Sequence, residues 1–188
     1  KNIKKLFRNR LIFCAASTHY NEELFIGKIH KELRLRYNNL LTIIIPRHAN
    51  RSESITNELE NINLRVITRS SKKKISKNTD IFMVDTYGET SKFYGLSNIT
   101  FLGGSLIPHG GQNPLEPARM GSYILHGPYT QNFKEIYILL SKLKVSSKIN
   151  NIISMKKIAI KKIKYKQPRN VSQKLIFMGD EILKKNLN

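Results

Sequence analysis

LIFCAASTHYNEELFIGKIHKELRLRYNNLLTIIIPR, residues 11–47, holds an apolar run, an amphipathic stretch and a second apolar run. LIFCAAST (11–18) has the length and content of a buried strand. From Asn21 to about Tyr37, Phe25, Ile29 and Leu33 recur at i, i+4 and i+8, one face of a helix. LLTIIIPR (40–47) is rich in β-branched residues and stopped by Pro46, which makes it a second strand. Two apolar strands joined by a helix form a βαβ unit, with the strands parallel and the helix packed on the sheet. This unit decides the fold class.

The same alternation continues down the chain. SITNELENI (54–62) is a short helix with Ser54 as its candidate N-cap, and LRVITRS (64–70) is a third strand. SKKKISKNT (71–79) is a polar surface loop, IFMVD (81–85) a fourth strand, and ETSKFYGLS (89–97) a short helix ended by Gly95. NITFLGG (98–104) and SYILHGP (122–128) are the fifth and sixth strands, and NFKEIYILLSKLK (132–144) is a helix. The expected architecture is α/β, a Rossmann-like parallel sheet with helices on both faces. After residue 150 the pattern weakens. KKIAIKKIKYK (156–166) alternates lysines with few apolar residues, and Pro168 separates it from a last helix at about 171–186.

Ligands of open parallel sheets bind beyond the carboxyl ends of the strands. The loops that leave those ends are STHYNE (17–22), PRHANR (46–51), DTYGE (85–89) and GGSLIPHGGQNPLE (103–116), and all four should share one edge. The longest lies within FLGGSLIPHGGQNPLEPARMG (101–121), which carries five glycines. Its Asn113-Pro114-Leu115-Glu116 step has two readings. Asn as N-cap, Pro in the first turn and Glu three residues after the cap resemble a capping box, a purely structural start to a helix. Glycines that allow close main-chain approach, followed by a helix N-terminus and a carboxylate, equally suit a nucleotide, with phosphate at the helix start and ribose on the acid. Arg47 offers a planar fork matched to phosphate, and Glu89 is either a second acceptor or the first turn of a helix.

The chain has 188 residues, 40% of them hydrophobic, enough for a packed core. A net charge of +20 points to nucleic acid, an anionic membrane surface or an anionic substrate. Lysines run from residue 1 to residue 185 without forming one block, so part of the charge is general composition. With scattered lysines and no nucleic-acid-binding motif, nucleic acid is the least favoured partner. Cys14 is the single cysteine, so no intrachain disulfide can form; this fits a reducing compartment and a small buried side chain. The five histidines lack metal-ligand spacing, and no apolar run reaches the roughly 20 residues needed to span a bilayer. The chain shows no signal-peptide layout, GxGxxG fingerprint, Walker loop or GxSxG elbow.

FLGGSLIPHGGQNPLEPARMGSYILHGPYTQNF resembles the signature of the transferases that add 3-deoxy-D-manno-octulosonic acid (Kdo) in lipopolysaccharide synthesis. The resemblance extends to AASTHYNEE, IIIPRH and DTYGE, in order, over roughly residues 8–140. It implies a GT-B glycosyltransferase of two Rossmann-like domains, of which this chain is the C-terminal, donor-binding one. The expected division is a CMP-Kdo-binding domain over 1–150 and a basic extension ending in a helix over 151–188. The implied reaction moves Kdo from CMP-Kdo to the lipid A precursor at the cytoplasmic face of the bacterial inner membrane, without metal or other cofactor. By motif position Pro46 and Arg47, then Tyr87, Gly88 and Glu89, then Asn113, Pro114, Leu115 and Glu116 contact CMP. The family's catalytic base is a Glu of the N-terminal domain, so no catalytic residue is assigned in this chain. Tyr87 stands where the family usually has Met, and Gln112 where it commonly has His. A GT-B domain for another nucleotide sugar and a basic nucleic-acid-binding domain are the alternatives. The run 156–166 is either a solvated lysine face or a contact for anionic lipid.

Overall fold

In the computed structural model, which describes residues 7–185, the apolar runs form a seven-stranded sheet in the order β3-β4-β2-β1-β5-β6-β7, with every pairing parallel. The strands are β1 (Leu11–Thr18), β2 (Leu40–Pro46), β3 (Val66–Thr68), β4 (Ile81–Met83), β5 (Ile99–Leu102), β6 (Tyr123–His126) and β7 (Ser146–Lys148). Beside them are the helices α1 (Glu22–Arg34), α2 (Ser52–Asn61), α3 (Thr90–Tyr94), α4 (Leu115–Arg119), α5 (Lys134–Lys142), α6 (Ile152–Lys162) and α7 (Arg169–Lys185). The last residue of the helix expected at 171–186 lies outside the described residues, as do residues 1–6 of the expected first domain.

Alternation along β1 builds both faces of the core. Phe13 and Ala15 point to one side, with Ile26, Ile29 and Leu33 of α1, Ile55 and Leu59 of α2, and Met155, Ala159 and Ile163 from the α6 region. Ile12, Cys14 and Ala16 point to the other, with Phe93 of α3, Leu115 and Ala118 of α4, Leu140 of α5 and Leu175 of α7. Helices therefore cover both faces, as expected for a parallel sheet. Each of the Ile, Leu, Phe and Met side chains among them, fully withdrawn from water, contributes about 1.5–3 kcal/mol. Cys14 is fully buried, and burial pushes its thiol up to about 12, so it packs as an unreactive small side chain.

Three local expectations are corrected. Ser54 does not cap α2, which begins at Ser52; its hydroxyl instead donates back to the Arg51 carbonyl at 2.9 Å. β7 was not expected, because Ser146–Lys148 has no β-branched residue and is recognisable only by its pairing with β6. The lysine run after residue 150 continues a helix, α6, which opens on a capping box. Asn151 accepts the Ser154 N–H at 2.8 Å, and the Ser154 hydroxyl accepts the Asn151 N–H at 3.1 Å.

Candidate functional site

From β1 the chain first builds one side of the sheet, β2 to β4, then crosses to β5 on the other side. The strand order thus reverses between β1 and β5, and in open parallel sheets ligands bind at the carboxyl edge near such a reversal. The β1 end is irregular. Its register with β2 shifts between Ala16 and Thr18, and Ser17 and Asn21 hold left-handed backbone at φ 53° and 69°. Non-glycine residues adopt that conformation at a cost and gather at functional sites.

What fixes the two loops is Glu22, buried at the start of α1. Its Oε2 accepts the N–H groups of His19 at 2.9 Å and Gly104 at 2.8 Å. Its Oε1 accepts those of Ser105 at 3.1 Å and Leu106 at 3.0 Å. One carboxylate thus gathers the main chain of both loops. Gly103 is required by the same close packing, since a Cβ there would overlap the backbone of Ser17 and Thr18. The glycines were expected to give clearance to a phosphoester. At Gly103 the clearance is filled by the chain's own β1–α1 loop, and the N–H groups that follow are taken by Glu22.

The β2 end joins this cluster, with the Arg47 N–H donating to the Thr18 carbonyl at 2.9 Å. Pro46, Arg47, Tyr87 and Gly88 line one cavity of about 160 Å³ together with Ser17, Ile45, Ala49, Thr86 and Thr90. The first two predicted segments are therefore brought together. The Arg47 guanidinium is exposed and has no ion-pair partner among the described residues. Glu89 stands beside the cavity, but its carboxylate is already held by the Arg69 fork at 3.1 and 3.3 Å, the Thr86 hydroxyl at 2.7 Å and Lys92 at 3.2 Å. The Arg69 and Thr86 hydrogen bonds bring it down to about 2.

The third predicted segment sits apart from that cavity. Asn113 accepts the Leu115 N–H at 3.0 Å, so it does act on the start of α4, but Glu116 closes no capping box. Pro114 and Leu115 are buried, Leu115 within the core. Glu116 is exposed and faces a separate hollow of about 310 Å³ with Arg119, Met120 and Ile176. α4 has only five residues, so it cannot supply the axial dipole of a full helix.

Residues that the sequence reading left without a role gather at the same edge. His19 lies 4.2 Å from His109 and 6.2 Å from His48, ring centre to ring centre. Burial first, and then the neighbouring His109, His48, Arg47 and Arg51, which disfavour a further positive charge, lower its imidazole to about 4. Beside it Arg51 makes a two-pronged pair with the buried Glu23, at 2.9 and 3.2 Å. The signal for these residues was their place in STHYNE, PRHANR and the glycine loop, each just after a strand. No three His, Cys, Asp or Glu side chains among the described residues are placed to hold a metal ion.

No protein-family model matches the chain. A 3-deoxy-D-manno-octulosonic acid transferase of Haemophilus influenzae is 38% identical over 144 residues, covering 77% of this chain and 34% of that protein. A protein of the same description from Rickettsia felis is 36% identical over 120 residues, 64% of this chain and 26% of its own length. The chain thus spans about a third or less of the curated relatives it matches. Among solved structures, the C-terminal CMP-Kdo binding domain of WaaA from Acinetobacter baumannii superposes with a TM-score of 0.76 at 26% identity, over 94% of this chain and 91% of that one. A trehalose 6-phosphate synthase from Burkholderia multivorans, at 10% identity and a TM-score of 0.58, shares the fold alone.

Proposed function

The chain belongs to the Kdo transferase family as its C-terminal, Rossmann-like domain, and we propose that it binds CMP-Kdo at the carboxyl edge of its sheet. The observation that carries this reading is the cavity lined by Pro46, Arg47, Tyr87 and Gly88, where the Arg47 guanidinium has no ion-pair partner among the described residues. An arginine without a protein partner at the carboxyl edge of a parallel sheet is a ready partner for phosphate. Glu116, exposed in the first turn of α4, offers its carboxylate to a ribose hydroxyl. Asn113 sets the backbone that presents it.

Transfer breaks the bond between the sugar and the phosphate oxygen, leaving negative charge on CMP. A donor positioned for that charge lowers the barrier, and removing one such group costs about 3 kcal/mol. Arg47 takes this role. The base that activates the acceptor, the lipid A precursor, belongs to the family's other domain, and the reaction takes place at the cytoplasmic face of the inner membrane. Among the described residues no helix is long and apolar enough to cross a membrane. The lysine-rich surface contacts anionic lipid or the acidic acceptor through charge. Calorimetric titration of the chain with CMP and with UDP tests the reading. It predicts binding of CMP and much weaker binding of UDP; equal binding of the two, or of neither, would contradict it.

A further inference from the structure

Charge is distributed unevenly along the strand direction. The helices that follow strands start at the carboxyl edge, and Glu22, Glu23, Glu53, Glu89, Glu116 and Glu135 lie in or beside the first turns of α1 to α5. The amino edge, where the chain enters the strands, is formed by residues 7–10, 35–39, 62–65, 75–80, 95–98, 120–122 and 143–145. The only acid in these segments is Asp80, which is buried and already shared by Arg34 at 3.6 Å and Arg65 at 3.1 Å. Against it stand Arg8, Arg10, Arg36, Arg65, Lys77 and Lys144.

At this edge is a hollow of about 360 Å³, with Arg8, Arg10, Asn38, Ile75 and Lys77 on its wall and no acid. Small-molecule sites span about 300–1,000 Å³, so a small ligand has room. Arg10 is its fixed element. The guanidinium donates to the carbonyls of Asn39 at 2.9 Å, Ser76 at 2.8 Å, and Leu40 and Thr79 at 2.7 Å, joining the turn before β2 to the loop before β4. These acceptors are uncharged, and no carboxylate pairs with Arg10 among the described residues. Its charge is thus held half-buried at the wall without a counter-ion. Arg8 and Lys77 are exposed and likewise have no ion-pair partner among the described residues. A hollow walled by charges of one sign focuses their field and draws in the opposite ion.

We propose that this hollow binds the phosphate group of a phosphate ester, on the opposite edge of the sheet from the nucleotide. Three positive charges suit a dianion better than a single carboxylate. The Arg8 fork and the Lys77 ammonium supply charge-assisted hydrogen bonds, while Arg10, with four N–H groups spent on carbonyls, acts through its charge. The room beside Asn38 and Ile75 takes the organic part of the ester. A soluble phosphate ester and a phospholipid headgroup share this chemistry.

The inference stands apart from the nucleotide reading, because the two sites share no residue. In the test, the chain is titrated with glycerol 3-phosphate, with sodium chloride of matched ionic strength as the control. Backbone NMR follows Asn9, Asn38, Asn39, Ser76 and Lys77. Glycerol 3-phosphate should give saturable shifts at these residues, and sodium chloride none. The double variant Arg8→Ala, Lys77→Ala changes two exposed side chains. It should weaken glycerol 3-phosphate about tenfold or more and leave CMP affinity unchanged. A second arm sediments the chain with vesicles of phosphatidylglycerol or of phosphatidylcholine. Sedimentation with phosphatidylglycerol alone, lost in the double variant and without a response to glycerol 3-phosphate, assigns the hollow to a lipid headgroup. No response in either arm, shifts matched by sodium chloride, undiminished binding by the double variant or a parallel loss of CMP affinity would overturn the inference. CMP, held also through its ribose and base, should fill the carboxyl edge at concentrations below those that reach the hollow. The reverse order would overturn the nucleotide reading alone.

Discussion

The carboxylate of Glu22 accepts the N–H of Gly104 at 2.8 Å, tying the start of α1 to a loop 82 residues further along the chain. With three more N–H groups on the same two oxygens, Glu22 occupies the kind of main-chain pocket that in other nucleotide-binding sheets receives phosphate. The glycine loop is shaped from within the protein, which leaves ligand charge to Arg47.

Glu22→Gln should therefore be strongly destabilising. It turns one acceptor into an NH₂ group facing an N–H, and buried hydrogen bonds to a charged group contribute about 1.5–3 kcal/mol each. A loss of about 2–4 kcal/mol is expected in urea denaturation. A loss below 1 kcal/mol would show that the loops hold each other without the carboxylate.

Much of this was legible in the sequence, and the exceptions have physical reasons. β1, α1 and β2 were readable because Phe13, Ile29 and Ile44 follow the periods of buried strand and helix. The four loops were placed at one edge by parallel topology alone. α6 was hidden by its lysines, although Met155, Ala159 and Ile163 fall at i, i+4 and i+8 and its capping pair was present in the sequence. β7 had no signal, since pairing with β6 defines it. The role of Glu22 was illegible because an acid in the first helical turn looks the same whether it faces water or a distant loop. The glycines were recognised as special, but their chief neighbour at Gly103 is protein, which only the fold reveals.

Gly103→Ala and Gly88→Ala separate close packing from backbone preference. A methyl at Gly103 meets Thr18 Cα at 2.5 Å and Glu22 Oε2 at 2.7 Å, so main chain must move. Gly88 has φ 73° and open space around it. Thermal denaturation should show a loss of about 3 kcal/mol or more for Gly103→Ala and about 1–2 kcal/mol for Gly88→Ala. Similar losses for the two would contradict the packing described at the β1 end.

Acid should weaken the fold in two stages. Burial lowers the imidazoles of His19, His30 and His126 below the ordinary histidine range, His19 to about 4. The unfolded chain takes up protons near pH 6.5 and the folded chain resists them, so stability falls as the pH drops from about 6.5 towards 4. Glu89 is lowered to about 2, chiefly by its hydrogen bonds from Arg69 and Thr86. Burial would raise Asp80, yet it is also held low, by His30 at 3.6 Å and by hydrogen bonds from the Arg65 side chain and N–H. The stability these acids supply is complete above about pH 4.5 and is lost as the pH falls through their folded values. Urea midpoints between pH 7.5 and 4.5 should decline, less steeply for His19→Gln. A flat profile would contradict the burial of the imidazoles.

Arg47→Ala and Glu116→Gln should affect binding and spare the fold. Both side chains are exposed, and Glu116 closes no capping box. Stability should stay within about 0.5 kcal/mol of wild type in each case. CMP affinity should fall about tenfold or more for Arg47→Ala and more modestly for Glu116→Gln, and turnover of a full-length enzyme carrying Arg47→Ala about a hundredfold. Unchanged affinity in calorimetry would remove either residue from the nucleotide site.

The most direct test of a nucleotide site at the carboxyl edge is a CMP titration of the chain followed residue by residue by NMR. The expected result is a set of saturable shifts confined to residues 17–22, 46–51, 86–89 and 104–116. Shifts centred instead on the opposite edge, where Arg8, Arg10, Asn39 and Lys77 line a hollow of about 360 Å³, would contradict it, as would no saturable shift anywhere.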